Sequence, residues 1–558
     1  MRVLDVVDHG ADPTGARDSA AAFAAAFRDA SGSGRKTEIL LPPGTYALWP
    51  EHAERRDLYV SNTVGADPRY RTKTIAMLVE GARDLVVRGT DAKVVLHGLQ
   101  TAVAVLDSHN VRFTGFALDH HAPSLVEARV VATGRTWRQL AVPADVTFRI
   151  EGTTVRWEGE RGRDGRPYWT GSDGLDYTQV YDPKTGRVRR CDNPLFTGVR
   201  AIRAEGDRQI VIEYDTDRVA DDSGLVYQMR PTVRDHPGML VAESERVTFE
   251  DLRVHYLHGF GILGQLSRDL VIRDTRFQAD PATGRHTASY ADFVNLSSVG
   301  GQVRIERCLF ENAHDDAINV HGTYLPIGER RDDRTVTLTY RHPETAGFAA
   351  FHPGDEVEFV ERASLAADTA FRARVVTVDG PHETDPTTMT VTVDRDLPAA
   401  LADDSWAAEN VTYTADVRIV GNVFAGIPTR GVLLTTRGRC VVQANTFDDT
   451  GMAGLFVSGD AAQWFESGPV RDLTVRDNAF LRLTAPAVLV EPTNTVSGGA
   501  VHSGITIERN RFVDCGTPFV DAKSVRGLTV TTNDLEPRRA WPADAVRTTD
   551  CTDVTVEP

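Results

Sequence analysis

The feature that most constrains this chain is a short phrase, Asn-x-Phe, repeated through its last third. It stands at Asn422-Val423-Phe424, Asn445-Thr446-Phe447, Asn478-Ala479-Phe480 and Asn510-Arg511-Phe512, with Asn533 as a degraded final copy. The copies are roughly 23 to 33 residues apart, the length of one coil of a three-faced β-solenoid. Each follows an alternating strand, as in Val417-Arg418-Ile419, and fainter versions run back through Val303-Arg304-Ile305 to Phe310, Val247-Thr248-Phe249 and Val111-Arg112-Phe113. Repeats of this length cannot bury an apolar face alone and must stack. The Asn is expected at a turn, where it tolerates the left-handed conformation and bonds neighbouring backbone, with the Phe stacked inside on the coil below.

A solenoid needs its open end covered. Gly10-Ala11-Asp12-Pro13-Thr14-Gly15 is turn chemistry. After it, Asp18 caps an Ala-rich segment in which Phe23 and Phe27 share one helical face. Ile39-Leu40-Leu41-Pro42-Pro43-Gly44-Thr45-Tyr46 then reads as the first coil. Two stretches break the rhythm, one carrying Val146–Ile150 and Gln209–Tyr214, the other Thr335–Thr339 and Asp355–Phe359, all strand-like and separated by turn residues. The expected architecture is all-β: a right-handed parallel β-helix with an N-terminal capping helix and two inserted small antiparallel β-barrel-like domains. Its units are residues 1–126, 127–234 (first insertion), 235–330, 331–412 (second insertion) and 413–558.

With 79 acidic against 62 basic residues in 558, the formal net charge is -17, which repels phosphate backbones and anionic lipid heads. Nucleic acid and membrane are therefore not expected as partners. Cys191, Cys308, Cys440, Cys515 and Cys551 show neither zinc-site nor disulfide spacing. The first residues are too polar for a signal peptide and no long apolar run follows. The chain reads as cytoplasmic, or as a secreted protein with its signal removed.

The densest polar stretch on a strand pattern is His314-Asp315-Asp316-Ala317-Ile318-Asn319-Val320-His321-Gly322. Adjacent carboxylates push at least one pKa upward, which lets one carboxyl serve as acid while another stays ionised to activate water. A solvated exposed turn would show the same Asp-Asp pair. Upstream, Asp292 lies in the apolar Ala291-Asp292-Phe293-Val294-Asn295, about one coil away, so three carboxylates can converge on one face. Trp464 and Glu466 sit in a loop before a new coil, where an indole can stack on a sugar and a carboxylate can accept from hydroxyls. Arg430 can hold aspartates ionised or bind hydroxyls. His255, His258 and His321 are candidate hydroxyl partners. No metal-ligand spacing is present, and no cofactor is expected.

The opening Gly-Ala-Asp-Pro-Thr-Gly and Pro-Pro-Gly-Thr-Tyr resemble the pectate-lyase-like superfamily. The His314–Gly322 segment, Asp292 in Ala-Asp-Phe-Val-Asn, and Trp464-Phe465-Glu466-Ser467-Gly468-Pro469-Val470 resemble glycoside hydrolase family 110, the inverting α-1,3-galactosidases. The resemblance spans nearly the whole chain. It implies an exo-acting enzyme on glycans ending in α-1,3-linked galactose, with Asp315 as general acid, Asp292 and Asp316 holding the water as base, and no metal. Trp464, Glu466, Arg430, His321 and His258 are the substrate-binding candidates beside them.

Three other readings stay open at this point. A polysaccharide lyase would use the aspartates as calcium ligands, but lyase substrates are polyanions and this chain shows no basic stripe. A polygalacturonase would need cations for uronate carboxylates just after His-Gly, where Thr323-Tyr324-Leu325-Pro326 stand instead. A glycan-binding β-helix without turnover is the third. The aglycone and the existence of a homodimer are not legible.

Overall fold

The computed structural model describes residues 1–64, 67–366, 371–537 and 540–557. Each C-terminal coil is built of three short strands, and each strand pairs in parallel with its counterpart in the next coil. Val417, Cys440, Leu473, Ile505 and Leu528 form one inward column, Phe424, Phe447, Phe480 and Phe512 a second, and Val432, Leu455, Val488 and Val520 a third. Successive parallel crossovers of this kind wind right-handed. The result is a right-handed parallel β-helix with one continuous apolar core from Leu4 to Ala545.

The Asn-x-Phe phrase is the seam of that core. Phe277, Phe310, Phe424, Phe447, Phe480 and Phe512 stack with centroids 4.7–5.4 Å apart. Each Asn side chain donates to the Asn carbonyl of the next coil, at 3.0, 3.0, 2.9 and 3.0 Å from Asn422 down to Asn533. One expectation changes here: the left-handed conformation belongs to the residue before each Asn, namely Gly421, Ala444, Asp477, Arg509 and Thr532. The Asn itself is buried because its amide satisfies two coils at once, donating also to a main-chain carbonyl such as Val442 O at 2.9 Å.

Helix Ala20–Ser31 covers the N-terminal end, with Phe23 and Phe27 buried and Phe23 packed on Tyr46. Ser19 occupies the capping position, but its hydroxyl accepts from Asp12 N; Asp18, one residue earlier, accepts from Ala20 N at 2.9 Å.

The coils are interrupted twice. Between strands His109–His120 and Pro237–Ala242, a seven-stranded antiparallel sheet and a three-stranded one enclose their own core around Trp157. The second interruption grows out of strand Ile318–Arg330. Its first residues pair with the coils, and its remainder enters a closed ring of six antiparallel strands with Thr335–Thr339, Thr388–Val393, Phe371–Asp379, Glu356–Glu361 and Trp406–Asn410. Both insertions contribute to one cavity beside Asp292, Asp315 and Asp316, the first through Tyr177, Arg190 and Arg230 and the second through His342, Pro343 and Glu344. Among the described residues, no helix is long and apolar enough to cross a membrane, and the five cysteines are free thiols.

Candidate active site

Three consecutive coils set out the centre of the site. Phe293 N donates to Asp316 O and Val294 N to Ala317 O, both at 3.1 Å, while Ala317 N and Ile318 N donate to Arg430 O and Gly431 O at 3.2 Å. Asp292, Asp316 and Arg430 therefore occupy equivalent positions one coil apart, about 4.8 Å per step. The approach is tight on the N-terminal side: a Cβ on Gly261 would lie 2.3 Å from Asp292 O, so only glycine lets that coil pass beneath.

Each carboxylate has a different environment. Asp316, 1% exposed, accepts from Thr429 Oγ1, from Arg430 N at 3.0 Å and from the Arg430 guanidinium at 3.0 and 2.7 Å. Asp315 points to a different set of groups: Arg190 Nη2 at 2.8 Å, Arg234 at 3.6 Å and Arg230 at 3.8 Å. Burial alone would push the Asp315 carboxyl up, but the guanidinium groups of Arg190, Arg234 and Arg230 outweigh it and hold it at about 2. Among the described residues, Asp292 has no cation within ion-pair distance, and it accepts a hydrogen bond from Asn295 Nδ2 at 3.2 Å. Burial, with the charges of Asp315 and Asp316 beside it, holds its carboxyl well above the usual range. The two environments thus push the Asp292 and Asp315 carboxyls in opposite directions.

The arginines are themselves shored up. Tyr177 lies within cation–π distance of Arg190 and Arg230, at 4.7 and 4.6 Å, and Arg230 also stands over Tyr290 at 4.8 Å. His314, fully buried and kept neutral by that burial and by Arg230, accepts from Arg230 Nε at 3.2 Å. Arg234 bridges Asp315 and Glu344 of the second insertion, 3.1 Å away.

Tyr177, Arg190, Arg230, Arg234 and Glu344 line a cavity of about 940 Å³. Of the residues singled out from sequence, Asp292, Asp315, Asp316, Arg430, Trp464 and Glu466 all line it. Trp464 is 40% exposed and packs on His342 with centroids 4.3 Å apart. Glu466 accepts from Asn319 Nδ2 at 3.1 Å.

The sequence model of GLAA-B beta-barrel domain II matches residues 335–404, within the six-stranded ring. An α-1,3-galactosidase A of Streptomyces avermitilis is 48% identical over 544 residues, 96% of this chain and 87% of that one. One from Peterkaempfera griseoplana is 45% identical over 578 residues, covering 100% and 79%, and one from Bacteroides thetaiotaomicron 30% over 533 residues, covering 94% and 91%. The chain belongs to the α-1,3-galactosidase family. It is a glycoside hydrolase, and the lyase and non-catalytic readings fall away.

Within this galactosidase-family chain, two candidate binding residues do not reach the cavity. His258 is buried with both ring nitrogens engaged, one with Ser124 Oγ and one with Asp235 Oδ1, each at 2.7 Å. It steadies Asp235, the neighbour of Arg234. His321 lies behind Glu466, its Nε2 3.6 Å from Glu466 Oε1, with Nδ1 on Gly322 O. His255 is likewise turned to backbone, Nδ1 meeting Gln278 O at 2.9 Å. Conversely, Arg190, Arg230, Arg234, Tyr177, Asn295, Asn319 and Glu344 line the cavity without having been singled out. Among the described residues two groups could hold a metal ion, His97 with His121 and Glu160, and Asp235 with His236 and His258; neither includes the three aspartates.

Proposed function

We propose that this glycosidase removes terminal α-1,3-linked galactose from oligosaccharide or polysaccharide ends, exo-acting, with inversion and without a metal. The observation that carries the reading is the placement of Asp292 and Asp316 one coil apart on one face, with Asp315 beside them but turned to another set of partners. Two carboxylates a coil apart can grip one water between them, and a third group offset from that pair can reach the glycosidic oxygen. Water oxygen attacks the anomeric carbon as the Asp292/Asp316 pair takes its proton. The carbon–oxygen bond breaks with its electrons on the leaving oxygen, which is protonated by Asp315.

With the Asp292 carboxyl pushed up and the Asp315 carboxyl held down, an acid role for Asp315 requires substrate entry to shift a proton within the cluster, whose titration belongs to the set rather than to one residue. Galactose hydroxyls that engage Arg190, Arg230 or Arg234 loosen their hold on Asp315 and favour that transfer. The resting charge pattern also favours a second reading, in which Asp292 is the acid and Asp315 shares the base role.

The exo mode is supported by the closed N-terminal end of the cavity. There Leu78, Leu240 and Leu263 of the same sheet are covered by Val60, Tyr256, Phe260 and Tyr290.

The test is proton NMR of α-1,3-galactobiose hydrolysis with EDTA present, comparing wild type with Asp315→Asn. Initial release of β-galactose by wild type, slowed by about 10² to 10⁴ in the variant, is the expected result. Release of α-galactose first sinks the inverting mechanism, and no release from any α-galactoside sinks the substrate assignment.

A further inference from the structure

The outward residues of the sheet that carries the site form one column, coil after coil: Leu240, Leu263, Asn295, Asn319, Leu433 and Phe456. Its chemistry changes along the way. Leu240 and Leu263 lie under the apolar cover that closes the N-terminal end. Asn295 and Asn319 are the polar pair beside the aspartates, donating to Asp292 and Glu466 respectively. Past them the cover is gone: Leu433 and Phe456 line the cavity, which continues over Pro492 and Thr493 as far as Lys523. Lys523 belongs to the fourth coil after Asn319, about 19 Å away at 4.8 Å per coil. A single terminal sugar does not need that length.

Phe456 is half-buried, its ring partly open to the cavity. On the catalytic side it meets the Arg430 guanidinium, 5.7 Å from the ring centroid. An aromatic face one coil beyond the residues that hold the reacting carboxylates is where the apolar face of the next sugar would lie.

We infer that the glycan enters from the C-terminal side, its terminal sugar at the closed end and its aglycone running over Leu433 and Phe456 toward Lys523, with Phe456 as the stacking platform of the first aglycone sugar. This rests on the proposed galactosidase reading.

The experiment compares kcat/KM for α-1,3-galactobiose with that for α-galactosyl fluoride, whose leaving group is too small to reach Phe456, in wild type, Phe456→Ala and Phe456→Trp. Phe456→Ala is expected to lower the ratio of the two about 5- to 10-fold, and Phe456→Trp to restore it. Equal losses on both substrates would mean that Phe456 merely supports Arg430; that result, or no loss on either, overturns the inference. If wild type hydrolyses neither substrate, the galactosidase reading itself has failed, an outcome separate from any change in the ratio.

Discussion

Arg190 Nη2 lies 2.8 Å from Asp315 Oδ1, although 125 residues separate them, and Arg190 is carried by the first insertion rather than by the β-helix. The insertion thus does more than wall the cavity: it sets the charge of a carboxyl at its centre. Replacing Arg190 by Gln removes one of the cations that hold the Asp315 carboxyl down, so its pKa rises. If Asp315 is the acid, the alkaline limb of the kcat/KM profile moves up; if it is a base, the acidic limb moves up instead. A pH–rate profile in which neither limb moves would contradict the electrostatic role.

Metal removal should leave the rate as it is. The two His/carboxylate groups lie apart from the three aspartates, and the ring nitrogens of His258 are taken by Ser124 and Asp235. Dialysis against EDTA is expected to change kcat less than two-fold. A loss recovered by adding back a divalent cation would disprove metal independence.

The Asn ladder predicts a stability effect far from the site. Asn478→Ala strands Val442 O and Asn445 N and takes one of two acceptors from the Asn445 side-chain amide, which keeps Ile419 O. Each buried orphan costs about 1–3 kcal/mol, so a total loss of roughly 3 kcal/mol or more is expected by denaturant titration. A loss below about 1 kcal/mol would mean that the ladder is not holding the coils together.

His502 is wholly buried, and its imidazole is pushed down to about 3, by burial first and by Arg471 second. A depressed histidine pKa favours folding above its unfolded value near 6.5, and that contribution is lost as pH falls through the interval down to about 3. At pH 4 the wild type should have lost about 3 kcal/mol from this group alone. His502→Asn should therefore cost more thermal stability at pH 7 than at pH 4. The same cost at both values would rule out His502 as a source of acid sensitivity.

Much of this was legible in the residues. The coil length placed Asp292 beside the Asp315-Asp316 pair, and the register makes Asp316 its direct neighbour. Asn and Phe spacing gave the seam of the core because stacking coils forces identical environments at a fixed period. The arginines were not legible. Arg190 and Arg230 reach Asp315 through an inserted antiparallel sheet that shares no period with the coils, and arginine is too common in this chain for any one to stand out. His258 failed as a binding candidate for the opposite reason: a polar residue on a strand gives no sign of whether a cavity or a buried Asp235 awaits it.

Strand Ile318–Arg330 is continuous from the coil that follows Asp316 into the six-stranded ring. The ring is therefore not a cassette that could be trimmed or traded between relatives at a flexible linker. Any cut that removes it severs the strand that begins two residues beyond the aspartate pair, so chain surgery aimed at substrate range has to be made at loop tips such as Pro343–Thr345, and not at the base of the ring.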